Sequence, residues 1–479
     1  MLNIRSQCVL KLVLSPSSPS VICKAPKPLL RKRNYASLTD TLLCRTRSTF
    51  GPLSQKPIQG AATTNTCQRT ANSSVPKSAQ HIEVGKKSLL IQWNSGDVSQ
   101  ERGTWSELDA QWLRFQCMCD TCRQPSSNQR MLDCADIPED ISICKATIVD
   151  GNRLSVRWAE DAHDGWIGLD WLYDAVHYRE LPITPFQQNQ KLPRIDDHRL
   201  LIGSRTDKTH ATLAKLQFYN HLLLDGFCIV SGLPTTEGTV KSFVEDVFAL
   251  PVQKTIYGEI FDVLSTPNPI NVAYSNAELK PHIDLVYYES PPGLQLLHCL
   301  RFDETVEGGE STLVDGIFAA EEMIRRYPQE AEILINTPAT FEKIHFNRDL
   351  PVWMRYSRPH IAVDANKKVT SVFWAPQFEG PLRATQDVIS KYYSAYRKFA
   401  RLIHDPSVKI QFRLQPGEVL VFNNRRMLHG RNAFTTSSGL RHFQGCYVHI
   451  DEFKSQAQVS LKKAGKSISV PHVANQSCF

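Results

Sequence analysis

Two histidines and an aspartate constrain the fold of this chain more than any other feature. In His282-Ile283-Asp284 an imidazole and a carboxylate stand two positions apart. On an extended strand, such side chains project to the same side. The third residue, His429, sits in Val421-Phe-Asn-Asn-Arg-Arg-Met-Leu-His429-Gly430, 147 positions further on. Only a fold that brings distant strands together can unite the three. A 2-His-1-carboxylate face leaves open positions on a metal, which suits Fe(II) oxygen chemistry. An isolated H-x-D is common in unrelated chains, so the surrounding residues decide its meaning.

Twelve positions after His429 comes Arg441, in Gly439-Leu-Arg-His-Phe-Gln-Gly-Cys-Tyr447. An arginine on the next strand can face the metal and pair bidentately with a carboxylate. Between the two halves lies Gly308-Gly-Glu-Ser311, where a small hydroxyl follows a Gly-Gly turn. Metal face, hydroxyl and arginine are the parts needed to hold a dicarboxylic keto acid.

At 479 residues the chain predicts two folded units. No run of eighteen apolar residues occurs, so no membrane span and no membrane partner are expected. The net charge of +7 is local. Residues 1–80 hold 12 Lys and Arg against one acidic residue, Asp40, leaving 43 basic and 47 acidic residues elsewhere. Nucleic-acid binding is therefore not implied. A basic, Ser/Thr-rich, acid-poor start reads as a mitochondrial transit peptide, with a disordered basic tail on a cytoplasmic protein as the alternative. The 13 cysteines form no secreted disulfide framework.

Residues 81–180 read as a small β-rich module. Ser88–Trp93 and Arg153–Trp158 alternate apolar and polar residues, and Ser106 to Arg114 reads as a short helix with Ser106 as N-cap. Leu181-Pro-Ile-Thr-Pro185 marks a linker. Residues 189–453 form the second unit. It opens with a helix over Thr209–Leu224 that ends at Gly226, followed by a buried strand from Phe227. Leu294–Leu300 is an apolar strand, and Ala384–His404 is an amphipathic helix. The Gln415-Pro-Gly-Glu turn leads into the strand that carries His429. Many strands with a few outer helices predict a mainly β chain built on a double-stranded β-helix, the jelly-roll architecture. Residues 454–479 read as a polar, basic tail that frays.

Cys117-Met-Cys119-Asp-Thr-Cys122 gathers three thiols within six residues. Such a loop can wrap a tetrahedral ion but lacks one ligand. His163 is the leading candidate, with Cys134 and Cys144 as alternatives. Four protein ligands would make the zinc structural.

A quaternary ammonium group has no N–H donor and is held by aromatic faces. Tyr257, Phe261, Tyr274, Tyr287, Tyr288 and Tyr447 lie near the metal strands, although any one aromatic residue is more often a packing residue.

Several segments together resemble the gamma-butyrobetaine and trimethyllysine dioxygenase family. They are Asn271-Val-Ala-Tyr274, His282-x-Asp284, Pro291-Pro-Gly-Leu-Gln-Leu-Leu-His-Cys299, Gly308-Gly-Glu-Ser311, Val314-Asp-Gly316 and Phe422-Asn-Asn-x-Arg-x-Leu-His-Gly-Arg431. Trp112-Leu-Arg with the cysteine cluster and Asp170-Trp-Leu172 resembles that family's zinc-binding domain. The resemblance spans about residues 85–452. It implies Fe(II), 2-oxoglutarate and O2 as reactants, ascorbate to keep iron reduced, and a homodimer. It implies iron ligation by His282, Asp284 and His429, and binding of the distal carboxylate of 2-oxoglutarate by Arg441 with support from Ser311. It also implies an ammonium cage at Tyr257, Tyr274 and Tyr447, and a substrate-carboxylate contact at Asn271. Two positions depart from the family. Phe261 stands where it has tryptophan, and Leu285 where the animal butyrobetaine enzyme has tyrosine.

The expected activity is hydroxylation of a trimethylammonium amino acid: gamma-butyrobetaine to L-carnitine, or alternatively trimethyllysine. A zinc-stabilised binding protein with a non-catalytic barrel is the reading from another class, and the intact triad with Arg441 argues against it.

Overall fold

The computed structural model describes residues 79–94, 104–177, 186, 190–202, 208–265, 275–435 and 439–465. Residues 1–78 of the expected transit peptide and the Leu181–Pro185 linker lie outside these residues, while Ala79 and Gln80 already belong to the first strand.

The first module holds two three-stranded antiparallel sheets. One runs Ala79–Val84, Ser88–Trp93 and Thr104–Asp109; the other runs Ile143–Val149, Arg153–Trp158 and Asp164–Gly168. Strict alternation sends Leu89, Ile91 and Trp93 from one sheet, and Leu154, Val156 and Trp158 from the other, into a shared core. The helix expected to begin at Ser106 starts later, at Ala110. Thr104–Asp109 pairs with Ser88–Trp93 instead, and Ser106 is buried, accepting from Trp93 Nε1 at 3.0 Å. Asp109 provides the cap, accepting from the Trp112 amide.

The second unit is a sandwich of two antiparallel-dominated sheets with helices outside, the double-stranded β-helix arrangement. The larger sheet has the order Arg194–Ile195, Phe227–Val230, Val419–Asn423, Leu294–Phe302, Arg441–Val448, Phe261–Leu264. The smaller has the order Leu279–His282, Met427–Arg431, Ser311–Asp315, Ile410–Phe412. The period of two sorts each strand. Gln295 and Leu297 face inward to a cavity, whereas Leu294 and Leu296 join the outer core beneath the helices. Along Arg441–Val448, the residues Arg441, Phe443 and Tyr447 face the same cavity, while Cys446 and Val448 face outward.

Helix Gln386–Ile403 buries Tyr392, Phe399 and Ile403, as its spacing requires. The Gln415–Glu418 turn leads into Val419–Asn423, not into the strand that bears His429. After a tight turn, the chain crosses to the other sheet as Met427–Arg431. The expected fraying of residues 454–479 is corrected for the described part of that tail, because Ile450–Lys463 is a helix. Its Ile450, Phe453, Ala457 and Leu461 recur at helical spacing and join the core, and the Phe453 ring lies 6.0 Å from both Tyr219 and Phe248.

Candidate active site

His282 and His429 stand directly opposite each other on adjacent antiparallel strands, so their rings share one face, 4.3 Å apart. Leu279 and His282 both face the cavity although three positions separate them. A register shift between them supplies the extra residue, at a segment containing Pro281, which has no amide hydrogen to lose. Asp284 is not on the strand. It lies in the turn that follows His282, with its amide donating to Asn424 Oδ1 at 2.8 Å. Asn424 Nδ2 donates in return to the Asp284 carbonyl (3.1 Å) and to the Pro292 carbonyl (3.2 Å). The next residue, Leu285, has φ +56°, an uncommon backbone conformation for a leucine.

Asp284 Oδ1 is 3.3 Å from His282 Nε2, and Oδ2 is 3.7 Å from His429 Nε2. Cis ligands with bonds of about 2.1 Å stand about 3 Å apart, so the three donors fit one ion after small adjustments. His282 Nδ1 lies 2.9 Å from the Lys280 carbonyl and must donate to it, which leaves the Nε2 lone pair for a metal. Burial, and then the neighbouring His282, lowers His429 to about 3, so that ring stays neutral. Burial alone would raise the Asp284 carboxyl, but His429, His282 and the Tyr447 hydroxyl outweigh it and hold it well below the usual range. Two imidazoles and one carboxylate form the donor set expected of a non-haem Fe(II) site.

Arg441 and Ser311 line the same cavity. The guanidinium lies over the rings of Phe443 (4.0 Å), Phe302 (5.2 Å) and Phe434 (5.6 Å), with Nε donating to the Gly309 carbonyl at 3.2 Å. Among the described residues Arg441 makes no ion pair. Burial and then Arg431 press its pKa downward, yet a guanidinium stays charged. Arg431 is committed elsewhere, donating to the carbonyls of Ser275 (2.9 Å) and Ala277 (2.6 Å).

Of the aromatic candidates, Tyr257, Phe261 and Tyr447 come together on the cavity wall. Phe261 stacks on Tyr447 at 5.1 Å and lies 6.3 Å from Tyr257. The Phe261 ring fits because its cross-strand partner is Gly445, where a Cβ would lie 2.3 Å from that ring. Tyr447 Oη donates to Asp284 Oδ2 at 2.7 Å. Tyr287 and Tyr288 do not line the cavity. Asn271 and Tyr274 lie outside the described residues.

In the first module Cys117, Cys119, Cys122 and His163 form a second group of possible metal donors. His163 Nε2 lies 3.3, 3.4 and 3.5 Å from the three sulfurs. Tetrahedral zinc with Zn–N near 2.0 Å and Zn–S near 2.3 Å sets about 3.5 Å between such ligands, so this set fits. Against the upward push of burial, hydrogen bonds from Thr121 and Cys117 bring Cys119 down to about 7. Arg114 donates to Cys122 Sγ (3.3 Å) and Asp161 Oδ2 (2.6 Å), and Asp161 accepts from the His163 amide (3.1 Å). Cys134 and Cys144 are exposed and outside the group.

Sequence reasoning assigned no role to Asn424, Arg114, Gly165 or Gln295, although Asn424, Arg114 and Gln295 stand inside the motifs that carry the family resemblance. Gly165 leaves no room for a side chain, because a Cβ there would lie 2.3 Å from Cys117 Sγ. Gln295 lines the cavity with a buried Oε1 that has no hydrogen-bond partner among the described residues. The polar run Asn423–Arg426 inside an apolar stretch was a readable signal. Asn424 grips the Asp284 turn, Arg425 donates to the Pro291 carbonyl (2.9 Å), and Arg426 pairs with Asp315 (2.7 Å) while donating to the Leu224 carbonyl (2.7 Å).

The taurine catabolism dioxygenase TauD, TfdA family matches residues 200–447, and the gamma-butyrobetaine hydroxylase-like N-terminal family matches residues 81–173. Gamma-butyrobetaine dioxygenase of Pseudomonas sp. (strain AK-1) is 32% identical over 78% of this chain and 93% of its own length. Dioxygenase str8 of Strobilurus tenacellus is 27% identical over 87% of this chain and 96% of its own. The mitochondrial trimethyllysine dioxygenase of Gallus gallus is 29% identical over 78% and 88%. Among solved structures, a putative alpha-ketoglutarate-dependent taurine dioxygenase from Burkholderia xenovorans covers 56% of this chain and 92% of its own, with 12% identity and a TM-score of 0.40. The chain belongs to the taurine catabolism dioxygenase TauD, TfdA family and is an Fe(II)- and 2-oxoglutarate-dependent dioxygenase.

Proposed function

We propose that this dioxygenase hydroxylates gamma-butyrobetaine to L-carnitine, with iron held by His282, Asp284 and His429. The observation that carries the reading is one cavity lined by a three-donor metal face, an arginine without an ion pair among the described residues, and an aromatic wall. With O2 and 2-oxoglutarate, bound Fe(II) supplies the oxidising power to hydroxylate an unactivated C–H bond, releasing succinate and CO2.

The chain's residues bind, orient and shield. Arg441 takes the distal carboxylate of 2-oxoglutarate bidentately, and Ser311 supports it with its hydroxyl. Tyr257, Phe261 and Tyr447 offer ring faces to a trimethylammonium group, which fixes the distance from that group to the metal. Asn271 and Tyr274 would complete the substrate contacts. Leu279, Leu297 and Phe443 line the cavity and keep bulk water from the reacting centre. Ascorbate would serve to keep the iron reduced.

Zinc at Cys117, Cys119, Cys122 and His163 would be structural, since the protein fills all four positions. Residues 81–180 and 189–453 would then be the zinc-binding and catalytic domains. Trimethyllysine is the second reading, favoured by the mitochondrial relative and by the basic, acid-poor residues 1–80, which also support mitochondrial localisation.

The deciding assay measures succinate formation with each substrate at equal concentration. Butyrobetaine-dependent turnover at least tenfold above that with trimethyllysine is expected. The reverse ratio assigns the second reading. Turnover with neither removes the ammonium cage.

A further inference from the structure

Tyr447 touches two things at once. Its ring stacks on Phe261 and forms part of the aromatic wall. Its hydroxyl donates to Asp284 Oδ2, the oxygen that also faces His429. The backbone is fixed by pairing with Gln295 and by the carbonyl, which accepts from the Gln253 amide at 2.7 Å, and the ring itself is confined by its stack on Phe261 and by burial. Its side chain is almost wholly buried.

Asp284 needs such a partner. It lies in a turn rather than a strand, beside a residue with positive φ, and its side chain is 22% exposed, against 4% for His282 and 8% for His429. Asn424 fixes the Asp284 backbone, but a fixed backbone still leaves the carboxylate free to turn about χ1 and χ2. Among the described residues, the Tyr447 phenol is the hydrogen-bond donor that reaches the carboxylate from outside the histidine pair.

We infer that Tyr447 is a positioning residue for the metal ligand Asp284, acting through its hydroxyl, in addition to presenting its ring to the substrate. This rests on the iron assignment above. The two tasks use different atoms of one side chain, so they are separable. An occupant pressing on the ring face is joined to the metal ligand through a single hydrogen bond. A cation held at this wall and the orientation of the carboxylate are therefore linked.

The test compares Tyr447→Phe, which keeps the ring and removes one oxygen, with Tyr447→Leu, which removes both. Fe(II) is titrated anaerobically into the full-length protein with saturating 2-oxoglutarate. The visible charge-transfer band of the iron–keto-acid chelate provides the signal, so metal at the cysteine cluster does not register. Losing an outer hydrogen bond to a ligand typically weakens metal binding about 10- to 100-fold. Tyr447→Phe should show that loss of iron affinity. Tyr447→Leu should lose both iron affinity and substrate affinity. Wild-type iron affinity in Tyr447→Phe overturns the inference, and so does a Tyr447→Leu variant that loses only substrate binding. A wild-type protein that develops no band overturns the iron assignment and this inference with it.

Discussion

Arg441 is buried among three phenylalanine rings, and its one hydrogen bond among the described residues runs from Nε to the Gly309 carbonyl. Its terminal nitrogens are thus reserved for a ligand, while the protein carries the cost of a buried charge without an ion pair. Arg441→Met should therefore move two quantities in opposite directions. A carboxylate that loses two charge-assisted hydrogen bonds loses about 2–3 kcal/mol net, a roughly 30- to 150-fold rise in the dissociation constant for 2-oxoglutarate. The ligand-free protein, relieved of an unpaired cation, should unfold at the same or higher denaturant concentration. Calorimetric titration of 2-oxoglutarate into anaerobic Fe(II)-loaded protein reads the first quantity, and a guanidinium unfolding curve of the ligand-free protein reads the second. Arg431→Met is the contrast. It removes donors to the Ser275 and Ala277 carbonyls, so it should cost stability more than affinity. Unchanged 2-oxoglutarate binding in Arg441→Met, or a larger loss in Arg431→Met, refutes the assignment.

Asn424→Leu leaves the Asp284 amide and two carbonyls without partners, at about 1–3 kcal/mol for each group that stays dry, so a loss of at least 3 kcal/mol is expected in denaturant unfolding. Wild-type stability would mean that the turn is held by other contacts. Gly165→Ala drives a methyl group to 2.3 Å from Cys117 Sγ and should abolish zinc retention, as read by elemental analysis of protein stripped of iron; a full zinc equivalent would contradict the four-ligand site. Burial pushes the Glu379 carboxyl up to about 7 from its ordinary 4.5, with the Tyr396 hydroxyl opposing. The folded state therefore binds a proton that the unfolded chain has released, so this contribution is present below about pH 4.5 and is lost as pH rises through 7. Glu379→Gln should gain about 2–3 kcal/mol over wild type at pH 8 and little at pH 4.5, and parallel pH profiles of the two denaturation midpoints would rule this out.

The parts of the site legible in the sequence were those carried by residue type and short spacing. His282-x-Asp284, the three cysteines and Arg441 carry their chemistry in residue type and spacing once they are read together. The register that sets His282 opposite His429 is a property of the sheet, and it becomes visible only once the strands pair. Asn424 and Asp284 lie 140 positions apart, and Tyr447 and Asp284 lie 163 apart. The polar run around Asn424 marks that residue as unusual but does not name its partner, and nothing local marks the Tyr447 hydroxyl as a partner of Asp284. The strand at Ser106 was mistaken for a helix because cap-like residues occur in both settings, and pairing with Ser88–Trp93 decided between them. The helix at Ile450–Lys463 was hidden by its polar composition. Four apolar residues at helical spacing were enough to anchor it.

The turn at Asn423–Arg426 has a consequence for how this chain can diverge. Three consecutive side chains there hold three segments between them: the Asp284 turn, the Pro291 and Pro292 carbonyls that Arg425 and Asn424 share, and Asp315 with Leu224. Substitutions at these positions share partners and backbone, so their effects should not add. A relative that replaces one of the three is expected to carry a matched change in the segment it held. Lineages can then retune the cavity wall one residue at a time, whereas this turn and the segments it binds must change as a set.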